Sequence, residues 1–221
     1  MPRNKREQVV SLTKTQKKGR ARKESIVDEV RAAADNFSSC YVFTADNMRN
    51  TALKEVRQKL GGSRIFFGRT KLLSAALGRT PAEEHRDALS QVAQCLLGCE
   101  AGLIFTNESK EAVHAVVEAT QVSEFARSGA EATEDVELPE GPMLNFPHNM
   151  EPYLRKLGLP TRLDNGVVTL MTSHAVCRAG ATLDSDQAKL LQLLGIKMAL
   201  FRLSLRCRWE DGDFEDYGAG E

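Results

Sequence analysis

The chain has 221 residues, 42% of them hydrophobic, and its 30 Lys+Arg balance 30 Asp+Glu. That is enough chain for one large or two small hydrophobic cores. No apolar run approaches the length of a membrane span and the N-terminus has no apolar signal core, so the sequence reads as soluble. Five cysteines (Cys40, Cys95, Cys99, Cys177 and Cys207) are an odd number without paired C-x-x-C spacing. They read as small core residues of a reducing compartment rather than as zinc ligands or disulfides.

Overall neutrality hides an asymmetry. Residues 1–23 hold nine basic residues and one acid, which leaves 21 basic against 29 acidic residues for everything that follows. Residues 1–21 have too little apolar content to fold alone and read as a basic arm, the kind of segment that binds nucleic acid or carries a nuclear address. Ile26, Val30, Ala33 and Phe37 then recur at helical spacing, predicting a helix to about Phe37. Cys40–Thr44 is a short apolar strand.

The next stretch, Met48–Lys71, carries seven Lys/Arg and a single acid, Glu55. A helix from about Arg49 places Leu53, Val56 and Leu60 on a core stripe, while Asn50, Lys54 and Arg57 share a different face. Gly61-Gly62 ends it, and Ser63–Phe67 reads as a buried strand. Gly68-Arg69-Thr70-Lys71 then turns into a helix from Thr70 to Leu77, whose first N–H groups are free to receive an anion. Such a surface is either an ordinary solvated charged face or a phosphate-binding one. It is not a nucleotide-binding P-loop: the glycines of GSRIFFGRT are spaced one residue too far apart, Arg stands for Lys, and IFF is strand.

Thr80, Pro81 and Glu83 have the chemistry of a helix start, predicting a helix to about Leu97. Gly102–Thr106 is another buried strand, and Asn107 precedes a helix with Val113, Val116 and Val117 inward. Strands alternating with helices predict an α/β layer. Composition then changes: Ser128–Leu154 contains six acids and no Lys or Arg. Within 122–196 the sequence predicts a short helix at Met150–Leu157 and a hairpin turning at Asp164-Asn165-Gly166. A strand at His174–Cys177 and a helix at Ser185–Leu194 complete the segment. Phe201, Leu203, Leu205, Cys207 and Trp209 alternate with polar residues in a long strand that needs a sheet to join. It is expected to return to the first sheet, which makes 122–196 an inserted smaller α+β domain between 22–121 and 197–209. Residues 210–221 are acidic and expected to be disordered. His85, His114, His148 and His174 lack a positioned nucleophile, and no catalytic or metal-binding motif is present. An enzyme, a cofactor or a metal is therefore not expected.

The strings SLTKTQKKG, NMRNTALKEVR, SRIFFGRTK, ALGR, GLIFTN, FPHNMEPYLRKLGLPT and GVVTL run from Ser11 to about Trp209. They resemble the ribosomal stalk-base (P-zero, or L-ten) family, and most closely its nuclear branch, which assembles into precursors of the large subunit. The resemblance implies a ribosomal stalk-base-type α/β domain with an inserted smaller α+β domain. It also implies binding to large-subunit rRNA at the stalk base through Arg49, Asn50, Lys54, Arg57, Gly68, Arg69 and Lys71, to which Arg64 of the same basic stretch is added. Implied partners are the pre-60S particle with its neighbouring L-eleven-type ribosomal protein and a release factor. The implied location is nuclear and nucleolar, with shuttling to the cytoplasm on the pre-60S particle. A mature stalk-base protein continues into helices that recruit acidic stalk proteins, whereas this chain stops about a dozen residues after Trp209. The expected role is thus a placeholder later exchanged for the mature protein, the alternative being a mature or truncated stalk-base protein itself.

Overall fold

The structure, a computed structural model, describes residues 19–218. The basic arm falls outside them except at its end, where Arg20 already belongs to the first helix. The chain forms two compact units. Of the described residues, unit one contains those up to Thr44, then Gly62–Ser109, then those from Leu205; unit two contains Ala45–Gly61 and Lys110–Ser204.

In unit one the helices α1 (Arg20–Asn36), α3 (Thr70–Leu77) and α4 (Leu89–Cys95) accompany β1 (Ser39–Asp46), β2 (Arg64–Phe67) and β3 (Ala101–Thr106). Most of β10 (Ala199–Glu210) and β11 (Asp213–Asp216) complete it. The strand order is β11-β10-β1-β3-β2. β3 pairs antiparallel with β1 (Tyr41 opposite Ile104) and with β2 (Ile65 opposite Ile104). Alternate strand residues Cys40, Val42, Leu103, Phe105, Cys207 and Trp209 join Val30, Leu73, Leu77, Leu89, Val92 and Leu96 from the helices in one core. β3 is buried at every position, which is why it reads as a continuous apolar run rather than an alternating one. Gly102 is required there: a Cβ would lie 2.6 Å from the Phe43 ring and 2.6 Å from the Phe66 carbonyl oxygen. The long alternating strand does return to this sheet, lying between β11 and β1.

Two expectations for this unit are corrected. The helix expected from Thr80 to Leu97 forms only as α4, Leu89–Cys95. Gly78 adopts φ +99° and brings Glu83 and Glu84 back against it, so closely that a Cβ would sit 2.4 Å from the Glu84 Cα. The His85 N–H then bonds the Leu77 carbonyl. Arg86 donates to the Ala34 carbonyl (2.8 Å) and to Asp211 (2.9 Å), and stacks on the Trp209 ring. These tertiary contacts outweigh a local helix-start signal. Part of the tail expected to be disordered instead forms β11, with Trp209 opposite Phe214; its residues 219–221 lie outside the described residues. Asp211 (φ 42°) and Gly212 (φ 104°) make the tight turn, and Phe214 packs against the core.

Unit two contains α2 (Asn50–Lys59), α5 (Lys110–Glu118) and β4 (Val122–Glu124), which pairs antiparallel with Ala199–Phe201 at the start of β10. The segment that follows holds two small sheets. β5 (Val136–Leu138) pairs with β9 (His174–Cys177), and β8 (Val167–Leu170) lies between β6 (Gly141–Pro142) and β7 (Thr161–Asp164). The expected hairpin is β7–β8, with Asn165 (φ 49°) and Gly166 (φ 83°) in its turn. β5 and β6 were not legible, being two or three residues long and bracketed by Pro139 and Pro142. α6 (Glu151–Lys156) and α7 (Ser185–Leu194) supply Leu154, Leu190 and Leu191 to a second core with Phe146, Val168, Leu170 and Val176. α7 is bounded by a capping box between Asp184 and Gln187 and by Gly195 in the left-handed region.

Candidate nucleic-acid interface

In unit two, α2 is amphipathic. Ala52, Leu53, Val56 and the following Leu60 are buried, whereas Asn50, Lys54, Arg57 and Lys59 are exposed. Arg57 and Lys59 lie in the last turn, where cations are favoured by the helix dipole. Lys54 and Arg57 make no ion pair among the described residues, so their charge faces solvent undiminished. Arg49 behaves differently. Its side chain is only 21% exposed, it donates to the Phe125 carbonyl oxygen, and it lies 3.9 Å from Glu124. It ties the start of α2 to β4 and the residue beyond it, an internal role that removes it from the solvent-facing set.

In unit one, β2 is an edge strand, and Phe67 leads through Gly68 into α3. Gly68, Arg69 and Lys71 are exposed, and neither Arg69 nor Lys71 forms an ion pair among the described residues. No side chain caps α3 and no acid occupies its first turn, so its first N–H groups lie beside two uncompensated cations. Gly68 has neither a positive φ nor any atom within 4 Å of where a Cβ would stand, so nothing inside the chain demands glycine there. Arg64 is partly neutralised by Glu29 (3.2 Å) and lies over the Phe66 ring.

One further cation stands at this turn. The exposed Arg79 donates to the Lys71 carbonyl at 3.2 Å, adding a cation beside α3. Only the fold-back at Gly78 puts it there, and its eight-residue separation from Lys71 carries no helical signal. The exposed candidate residues thus fall into two sets, Asn50, Lys54 and Arg57 on α2 of unit two, and Gly68, Arg69 and Lys71 at the β2–α3 turn of unit one.

The first set presents cations on α2, and the second presents cations beside the first backbone N–H groups of α3, groups able to pair with an anion. Burial pushes the Cys40 and Cys207 thiols far above their ordinary value, which keeps them from acting as nucleophiles. His85 is held by Asp35 at 2.8 Å. Among the described residues no group of three or more His, Cys, Asp or Glu is arranged to hold a metal, and no helix is long and apolar enough to cross a membrane.

Comparison with known proteins identifies the family. Residues 18–122 match the family described as ribosomal protein L10, and residues 126–196 match the insertion domain described for the 60S ribosomal protein of that type. The class is therefore that of L10-type ribosomal proteins carrying the insertion. Within it, the ribosome assembly factor mrt4 of Neurospora crassa is 40% identical over 228 residues, covering 95% of this chain and 90% of that protein. The mrt4 of Schizosaccharomyces pombe is 40% identical over 217 residues, covering 93% and 90%. The large ribosomal subunit protein uL10 of Neurospora crassa is 26% identical over 200 residues, covering 87% of this chain and 61% of that protein. The chain belongs to the mrt4 family of ribosome assembly factors.

Proposed function

We propose that this protein binds large-subunit rRNA at the stalk base of pre-60S particles. There it holds the position until it is exchanged for the mature stalk-base protein. The observation that carries this reading is the pair of uncompensated cationic surfaces, Lys54 with Arg57 on α2 and Arg69 with Lys71 at the start of α3. Family membership supports it, since the relatives are named as assembly factors. Gly68 adds a second support: its open flank allows a sugar–phosphate backbone to approach the turn directly. The neighbouring L-eleven-type ribosomal protein and a release factor for the exchange step are the protein partners of this reading, and the nucleus and nucleolus are its location.

The test is sedimentation of tagged protein with quantification of the co-sedimenting rRNA. Association with nuclear large-subunit precursors, and absence from translating ribosomes, is the expected result. Stable association with translating ribosomes would instead make the protein a stalk-base component of the mature subunit.

A further inference from the structure

We propose that the turn Met143–Phe146 and the cleft beside it form a docking surface for a basic protein segment with an apolar anchor. Leu144 is 80% exposed, the most exposed of the large hydrophobic residues. Its exposure is built in. The Met143 N–H bonds the Val168 carbonyl at 2.7 Å, and the Phe146 N–H bonds the Met143 carbonyl at 3.2 Å. Phe146 is buried in the core of unit two, and Gly141–Pro142 are paired with β8. A turn pinned at both ends cannot fold Leu144 inward.

Beside the turn lies a cleft of about 350 Å³, lined by Leu138, Met143, Leu144, Phe146 and Leu194 with Glu140 among its polar residues. That volume accepts one or two aliphatic or aromatic side chains. The charge around it selects the partner. The segment Ser128–Leu154 carries six acids and no Lys or Arg, and Glu140, which lines the cleft, is exposed. Acids repel RNA phosphate and attract Lys and Arg. The occupant is accordingly a protein segment combining positive charge with an apolar side chain, and this face is chemically opposite to the cationic surfaces of α2 and the β2–α3 turn.

The experiment uses the full chain and a fluorescein-labelled amphipathic peptide of Leu and Lys, with counterparts in which every Leu is Ser or every Lys is Glu. Binding is read by anisotropy. The Leu/Lys peptide is expected to bind in a salt-sensitive way, and Leu144→Ser and Glu140→Lys each to weaken it at least tenfold. Thermal melts of both variants should match the parent, because both side chains are exposed. Parent-like affinity in both variants would overturn the proposal, as would failure of the Leu/Lys peptide to bind. Binding of the Ser or Glu peptide that depends on residue 144, or displacement of the peptide from residue 144 by an RNA oligonucleotide, would overturn it as well.

Discussion

Replacing Arg57 and Arg69 together with glutamate addresses both cationic surfaces at once. Both side chains are exposed, and neither takes part in an ion pair among the described residues, so no internal partner is orphaned by the change. A unit charge about 5 Å from a phosphate in water gains roughly 0.8 kcal/mol. Reversal forfeits that attraction and adds an equal repulsion, about 1.7 kcal/mol per position and about 3.3 kcal/mol for the pair. At tenfold per 1.4 kcal/mol this is a loss of roughly 250-fold in affinity for a stalk-base rRNA fragment. The salt dependence should flatten as well, with the slope of log K against log salt falling by about 1.8 for two lost phosphate contacts. Fluorescence titrations at several salt concentrations measure both quantities. The control is Lys156→Glu with Arg178→Glu, two exposed cations of the inserted segment. Arg155 is unsuitable as a control, because it pairs with the buried Glu151 and its reversal would set two carboxylates together. Equal losses in the two double variants would mean that only net charge matters, and the assignment of these surfaces would be refuted.

Two glycine substitutions separate binding from folding. Gly68→Ala should leave stability within about 0.5 kcal/mol while lowering rRNA affinity severalfold. Gly102→Ala, which forces a Cβ into the Phe43 ring, should cost about 1–3 kcal/mol in denaturant titration. Ending the chain after Glu210 removes β11 and the Phe214 contact, and should destabilise unit one by about 1.5–3 kcal/mol; an unchanged urea midpoint would mean that the hairpin contributes nothing. Glu84 accepts the Ser90 N–H at 3.2 Å, and its hydrogen bonds with Ser90 hold its carboxyl below the ordinary value. A lowered folded-state pKa means that its contribution is present above the unfolded carboxylate range and is lost as pH falls through the folded value. The difference in Tm between the parent and Glu84→Gln should therefore shrink on acidification.

The sequence by itself determined the elements whose signals are local. α2 and α3 follow from apolar spacing bounded by Gly61-Gly62 and Gly68, the β7–β8 turn from Asp164-Asn165-Gly166, and α7 from its stripe and Gly195. Most of the cationic set was legible too, since Lys and Arg clustered on the helix face away from the apolar stripe need no tertiary information to be seen. Only the tertiary structure decided which of those charges remain available. Arg49 sits within the same run as Lys54 and Arg57, yet it is tied to Phe125 and Glu124, residues far along the chain. Arg79 joins Lys71 through a fold-back that no periodicity encodes. The same reasoning explains the segment Thr80–Ala88, where Arg86 and its partners Ala34, Asp211 and Trp209 override a helix-start signal. It also explains β11, whose acidic composition suggests disorder until Phe214 finds the core beside Trp209. Local patterns fix a segment when its own neighbours supply most of its free energy. Where contacts from distant parts of the chain supply more, the same residues take whatever conformation satisfies those contacts.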